Sequence, residues 1–248
     1  MKGVVVATGL GQYLLPMTIH FARPSTFKPE RPWIDYAIEA FVSAGFEELG
    51  IVLGYNEDIL RSYLQGSSRY GIAIYCLHNP WYLRGSATFL YAVRPFVEGE
   101  AFVVALADRL LSPHILFPLL TRPWQTHVMC VHRRRRASAS THDIMRVSLD
   151  RYGRVQSIGK RLKHWHAVDA GVFLFQPRIF HHSSHFLRHQ ERPCSLIQLA
   201  RHLIAHGDEL WSYDVSDSSS CAYADYRNHF RYAPQVLSIR LAQEELVA

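Results

Sequence analysis

Lys2-Gly-Val-Val-Val-Ala-Thr-Gly-Leu-Gly-Gln-Tyr-Leu-Leu-Pro-Met-Thr18 is the stretch on which the fold turns. Val4 to Ala7 is a short apolar run that leads straight into Gly9 and Gly11, and Pro16 and Thr18 close the segment. This reads as a buried strand ending in a turn where the backbone can approach a ligand closely, because glycine lacks a Cβ and tolerates positive φ. Exposed backbone N–H groups at such a turn attract phosphate. A Gly-x-Gly after a strand also fits an ordinary turn, so the rest of the chain has to separate the two.

The 248 residues are 48% apolar and 12% aromatic, enough for a full core and contrary to intrinsic disorder. That length suits one large α/β domain. No apolar run approaches the roughly 20 residues needed to span a bilayer. Gly9 and Gly11 interrupt the only stretch resembling a secretory signal. Cys76, Cys130, Cys194 and Cys221 lack Cys-x-x-Cys spacing, which favours free thiols in a reducing, cytoplasmic compartment over disulfides or zinc. The net charge of +6 suits anionic ligands or simply a basic surface. Its densest point, Arg133 to Arg136, adjoins the small polar run Ala137 to Thr141 and reads as a solvated loop. A nucleic-acid surface would interleave aromatics there, and none occur.

Working outward, residues 21–32 form a basic loop with three prolines. Ile34, Ala37, Ile38 and Phe41 then recur at helical spacing over 34–44. Strands are expected over 49–53 and 72–77, with a helix over 57–64 between them. A loop follows over 78–86, then a helix over 87–93 and a strand over 101–107 ending at Asp108. This alternation predicts a mostly parallel sheet covered by helices on both faces. Ligands in such folds bind beyond the C-terminal ends of the strands. The glycine turn, the 78–86 loop and Asp108 all fall on that edge.

Further along, 144–149 and 155–158 flank Asp150-Arg-Tyr-Gly153, a hairpin signal. A strand over 167–175 carries Asp169 and Gly171. Ser195 caps a helix that Gly207 stops, and a strand follows over 209–215. A short segment over 221–226 and a helical tail over 234–246 complete the chain. His181, His185 and His189 have the four-residue spacing of a zinc site on a helix, but Pro177 and the intervening serines favour solvated histidines.

Several of these segments together resemble the sugar-phosphate nucleotidyltransferases. The opening through Thr18 and Arg31-Pro-Trp-Ile-Asp-Tyr-Ala-Ile38 are similar to the start of that family. Val104-Ala-Leu-Ala-Asp-Arg109, Gly153-Arg-Val-Gln-Ser-Ile-Gly-Lys160 and His166-Ala-Val-Asp-Ala-Gly-Val-Phe173 resemble its CTP:inositol-1-phosphate cytidylyltransferase branch. So do Cys194-Ser-Leu-Ile-Gln-Leu199 and Phe230-Arg-Tyr-Ala233. The resemblance implies a Rossmann-like α/β/α sandwich over 1–248. Residues from about 1 to 115 would bind the nucleotide, and those from about 116 to 248 the acceptor. It also implies the reaction: a sugar or polyol phosphate attacks the α-phosphorus of a nucleoside triphosphate and pyrophosphate leaves. Charge builds up around that phosphorus, so fixed cations and Mg2+ are implied as well.

Carried over by the resemblance, Ala7, Gly9, Leu10, Gly11, Gly85 and Ser86 would bind the nucleotide. Arg23 and Asp108 would be catalytic, with Asp108 also a metal ligand, and Lys160 and Asp169 would hold the acceptor. The family's loop arginine is Tyr13 here, which removes a permanent charge, and its lysine is Arg23. Its second metal carboxylate is Tyr223, which cannot neutralise magnesium as a carboxylate does. If 221–226 is extended, Asp225 lies on the same face as Tyr223, about 7 Å along, and can supply that carboxylate.

Structural alternatives stand beside three of these assignments. Asp169 also fits a locally satisfied carboxylate, Lys160 a surface lysine, and Ser86 the N-cap of the following helix. Three readings follow from the departures: a diverged transferase with a weakened or altered reaction, an inactive relative, or a pocket reused for a different reaction. The inactive relative would bind a nucleotide or phosphorylated ligand as a regulatory or partner subunit, in a homo- or hetero-oligomer.

Overall fold

Strand β1 (Lys2–Ala7) forms over the valine run and is buried from Gly3 onward, as suits β-branched residues covered on both faces. It comes from a computed structural model that describes residues 1–8, 32–55, 57–65, 70–107, 110–133, 145–188, 195–216 and 221–222. The expectations placed on 9–31, Asp108, 134–144, 189–194 and 223–248 lie outside the described residues.

Helix α1 (Trp33–Ser43), β2 (Glu48–Leu53), α2 (Glu57–Leu64) and β3 (Ala73–His78) follow in the expected order. After them come α3 (Phe89–Val97), β4 (Phe102–Leu106), the short β5 (Leu110–Leu111), α4 (Pro113–Thr121) and β6 (His127–Arg133). The second half adds β7 (Arg146–Leu149), β8 (Val155–Gly159), β9 (Ala167–Phe175), α5 (Ile179–Arg188), α6 (Leu196–Ala205), β10 (Leu210–Asp214) and β11 (Cys221–Ala222).

The main sheet runs β10-β6-β9-β4-β1-β2-β3, with the β7–β8 hairpin attached to β9 and a separate β5–β11 pair. β1 lies between β2 and β4, parallel to both, with Val5 opposite Ile51 and Ala105. β9 alone on this path runs against its neighbours, β4 and β6. The result is a mixed sheet with one reversed strand inside an otherwise parallel array.

Strand periodicity sends alternate residues of β1 to opposite faces. Val5 and Ala7 join Phe41 of α1, Leu60 of α2 and Leu116 of α4 in one apolar cluster. Val4 and Val6 join Phe89 of α3, Ile179 of α5 and Leu199 of α6 in the other. The expected three layers are therefore present.

Local signals account for several element ends. Asp150 accepts hydrogen bonds from Tyr152 N (2.8 Å) and Arg154 N (2.9 Å) and closes the β7–β8 turn. Ser195 and Gln198 form a reciprocal capping box on α6.

Other expectations need correction. The helix expected over 87–93 starts at Phe89 and continues through Pro95 to Val97. Thr88 occupies its N-cap position without a side-chain cap bond, and Ser86 is not its cap. α4 and β6 were not anticipated. Pro113 sits in the first turn of α4, where the missing N–H is harmless, and Ser112 caps it. α5 forms despite Pro177, which precedes it.

At the N-terminal edge of β6, His127 is fully buried. Its Nδ1 accepts from Gln176 N (3.1 Å) and its Nε2 donates to Asp208 (3.1 Å). Asp208 also receives Arg178 Nε at 2.9 Å and lies 3.2 Å from His182 Nε2. Burial pushes the His127 pKa down to about 4, against the pull of Asp208. Burial pushes Asp208 up, but Arg178 and His127 hold it below its ordinary value.

Candidate functional site

The parallel strands β1, β2, β3 and β4 end side by side at Ala7, Leu53, His78 and Leu106. Ala107 N donates to Val6 O (3.1 Å) and Asn79 N to Leu53 O (3.1 Å), so the registers persist just past the strand ends. Gly54 follows β2 in a position that excludes any side chain. A Cβ there would lie 2.8 Å from Tyr82 Cβ and 3.2 Å from Thr8 Cα. The close approach lets the 79–88 loop fold over the ends of β1 and β2.

That loop consists of two single 3₁₀ turns, Tyr82–Arg84 and Ser86–Thr88, hinged at Gly85. Gly85 has φ 112° and ψ 163°, a region essentially restricted to glycine. Ser86 Oγ accepts from Leu196 N (3.0 Å), which satisfies one of the free N–H groups at the start of α6. Nearby, Glu57 at the start of α2 pairs with Arg61 and with His78 at the end of β3. Burial pushes the Glu57 pKa up, but these partners hold it below its ordinary value.

The same edge continues into the second half. Asp169 lies three residues before Val172, which pairs with Ala105 of β4, so it sits toward the end at which β4 finishes. It is buried, and its Oδ1 accepts from Gly171 N at 2.7 Å. Between the pairs Met129–Phe173 and Val131–Asp169, β9 spans four residues while β6 spans two, which marks a bulge between Asp169 and Phe173. Arg133 and Asp214 pair at 3.1 Å where β6 and β10 end, and Ser216 bonds to both residues. Lys160 is exposed in the turn after β8.

The nucleotidyl transferase family model matches residues 2–219. The chain belongs to this family. One curated relative that this chain resembles is the 2-aminoethylphosphonate cytidylyltransferase of Lancefieldella rimae. It is 30% identical over 161 residues, which cover 64% of this chain and 61% of the relative. The CTP:phosphoglutamine cytidylyltransferase of Campylobacter jejuni is 26% identical over 113 residues, 44% of either chain. The low-salt glycan biosynthesis nucleotidyltransferase of Haloferax volcanii is 30% identical over 119 residues, 47% of this chain and 32% of the relative. The chain therefore spans from about a third to three fifths of the length of these relatives.

Among solved structures, the inositol-1-phosphate CTP transferase from T. maritima has a TM-score of 0.70 at 20% identity, covering 86% of this chain and 84% of that one. An apo UDP-glucose pyrophosphorylase has a TM-score of 0.72 at 17% identity, covering 96% and 98%. At these identities the likeness establishes the fold.

The structure places Ala7, Gly85, Ser86 and Asp169 on one sheet edge and Lys160 in the turn beyond β8. Gly9, Leu10, Gly11, Tyr13, Arg23, Asp108, Tyr223 and Asp225 lie outside the described residues. Among the described residues, no group of three or more His, Cys, Asp or Glu side chains is placed to hold a metal ion. No helix among them is long and apolar enough to cross a membrane. Sequence reasoning missed Asn79 and Thr88, both buried polar residues within the site loop. The available signal was Asn79-Pro80 directly after a strand, a turn-initiating pair.

Proposed function

We propose that this nucleotidyl transferase binds a nucleoside triphosphate over the ends of β1, β2 and β3 and a phosphorylated sugar or polyol beside β8 and β9. The observation that carries this reading is the convergence of Ala7, Gly54, Gly85 and Ser86 with Asp169 on one sheet edge. The division into nucleotide and acceptor halves near residue 115 is carried over from the resemblance. Two relatives named as cytidylyltransferases support CTP as the first nucleotide to test. Neither Cys76 nor Cys130 is joined in a disulfide, in keeping with a reducing, cytoplasmic setting.

In the transfer step, a phosphate oxygen of the acceptor bonds to the α-phosphorus of the triphosphate. The bond from that phosphorus to the bridging oxygen breaks, and pyrophosphate leaves. Arg23 would stabilise the charge that develops, and Lys160 and Asp169 would hold the acceptor. Asp108 and Asp225 would hold a magnesium ion, which would supply positive charge to the phosphates when bound. The reaction is weakened, because Tyr13 and Tyr223 stand where the resemblance implies a cation and a carboxylate. Loss of one preorganised charge commonly lowers the rate by about 100- to 1,000-fold.

Pyrophosphate release, measured with each NTP, magnesium and a panel of sugar and inositol phosphates, tests this directly. Slow CTP-dependent release is expected, with a further fall of about 100- to 1,000-fold in Asp108→Ala. The same two tyrosines favour the second reading, a non-catalytic subunit. No turnover together with calorimetric binding of a nucleotide would establish it.

A further inference from the structure

The edge of the sheet opposite the candidate site also carries a cavity. α3 ends at Val97, and Pro177 follows β9, whose Phe175 pairs with Phe102 at the start of β4. Between the end of α3 and the first turn of α5 lies a space of about 550 Å³, within the range of small-molecule sites. Arg94, Pro95, Glu98, Pro177, Phe180 and His181 line it, and the proposed transfer uses none of them.

Phe180 is 8% exposed and stacks with Phe102, their ring centroids 5.8 Å apart. The Arg94 guanidinium lies over the Phe180 ring, 5.8 Å from its centroid. Arg94 and Glu98 have the i,i+4 spacing at which opposite charges pair on a helix, yet the two do not pair. Glu98 stands just past the last helical residue with φ 52° and ψ 33°, the left-handed region that glycine favours. Among the described residues no other non-glycine residue has a positive φ. The Glu98 carboxylate lies 3.5 Å from Lys2 Nζ instead. Arg94 is exposed, and no carboxylate among the described residues pairs with it.

The turn at Glu98 thus leaves a guanidinium seated on an aromatic ring with no protein anion against it. Its planar fork of donors matches a carboxylate or a phosphate. His181 adds a ring N–H on the same cavity wall. Pro95 and Pro177 supply apolar surface, so the lining has the mix of mostly apolar walls and a few polar groups that small ligands use.

We infer that this cavity binds a small ring-bearing anion, a phosphate or carboxylate, with its charge on Arg94 and His181 and its ring against the two prolines. β4 is five residues long, which sets the cavity roughly 16 Å from the edge where β1 to β4 end. It can therefore be filled independently of that edge.

Calorimetry with phenyl phosphate, benzoate and inorganic phosphate tests this on the full chain. At least one ring-bearing anion should bind saturably, and the tighter of the two identifies the anionic group. Inorganic phosphate should bind at least about tenfold more weakly, since it lacks the apolar body. Arg94→Gln should weaken the ring-bearing anion about tenfold, the loss of a charged hydrogen-bond partner. Arg151→Gln is the control, because Arg151 is also exposed and lies over an aromatic ring, 4.6 Å from the Tyr152 centroid, but does not line the cavity. It should leave the affinity unchanged. Amide hydrogen exchange should show protection by the ligand at residues 94–100 and 177–183. No saturable binding, inorganic phosphate bound as tightly as the ring-bearing anions, or protection confined to residues 79–88 would overturn the inference. So would an affinity that Arg94→Gln leaves intact or that both variants lower equally.

Discussion

At the N-terminal edge of β6, His127, Asp208, Arg178 and Gln176 direct their hydrogen bonds at one another and at nearby backbone. At the edge where β1 to β4 end, the features that matter are different: Gly54 with no room for a side chain, Gly85 in a glycine-only conformation, and a bulge that follows Asp169 in β9. The first arrangement locks three segments together through paired polar groups. The second shapes backbone around a space. Substitutions at the two edges should therefore separate stability from ligand binding.

The largest effect is expected for Asp208→Ala, which leaves His127 buried without its acceptor and Arg178 without its carboxylate. Unfolding in urea should show a loss of about 3 kcal/mol, while the nucleotide affinity of the folded fraction stays at the parent value. A parallel fall in affinity would break the separation.

Acid should expose the same lock. Folded His127 stays neutral down to about pH 4 because it is buried, whereas its ordinary pKa is 6.5. Between these values the unfolded chain holds the extra proton, so stability falls as the pH drops through that window, by about 3 kcal/mol for this group. The Asp208 contribution has the same sign at still lower pH, because its folded pKa is depressed. Denaturation curves at pH 7, 5.5 and 4 should show this slope in the parent and a flatter one in His127→Gln.

Gly54→Ala probes the other edge. The added methyl has to displace Tyr82 and the backbone at Thr8, which should destabilise the fold by about 1–3 kcal/mol. Unlike Asp208→Ala, it should also weaken nucleotide binding, as read by calorimetry. Lys160→Ala should give the smallest change: the side chain is exposed, so stability should stay within about 0.5 kcal/mol. Its effect should be a raised KM for the acceptor alone.

Much of the fold was legible because it rests on short-range rules. The capping box at Ser195 and Gln198 spans three residues, and the turn at Asp150 closes within four. The valine run of β1 and the helical spacing of Ile34, Ile38 and Phe41 needed nothing beyond periodicity. No element was expected over α4, which starts with Pro113 in its first turn and carries Pro118 inside it. The same rules offered the cap of α3 as an alternative role for Ser86. Its hydroxyl instead meets Leu196, which is 110 residues away. The site was legible as a sheet edge, since alternation of strands and helices implies where the parallel strands end. Asn79 and Thr88 were not, because their importance lies in being buried and bonded to each other.

The sequence by itself determined the apolar strands, the amphipathic helices, most turns and, through its motifs, the family. Each of these depends on residues within a few positions of one another. Only the tertiary structure decided that β9 runs reversed between β4 and β6, that His127 meets Asp208 across 81 residues, and that Ser86 is tied to α6. The physical reason is that strand order and long-range polar pairing minimise the free energy of the whole packed core. No local window of the chain carries that information.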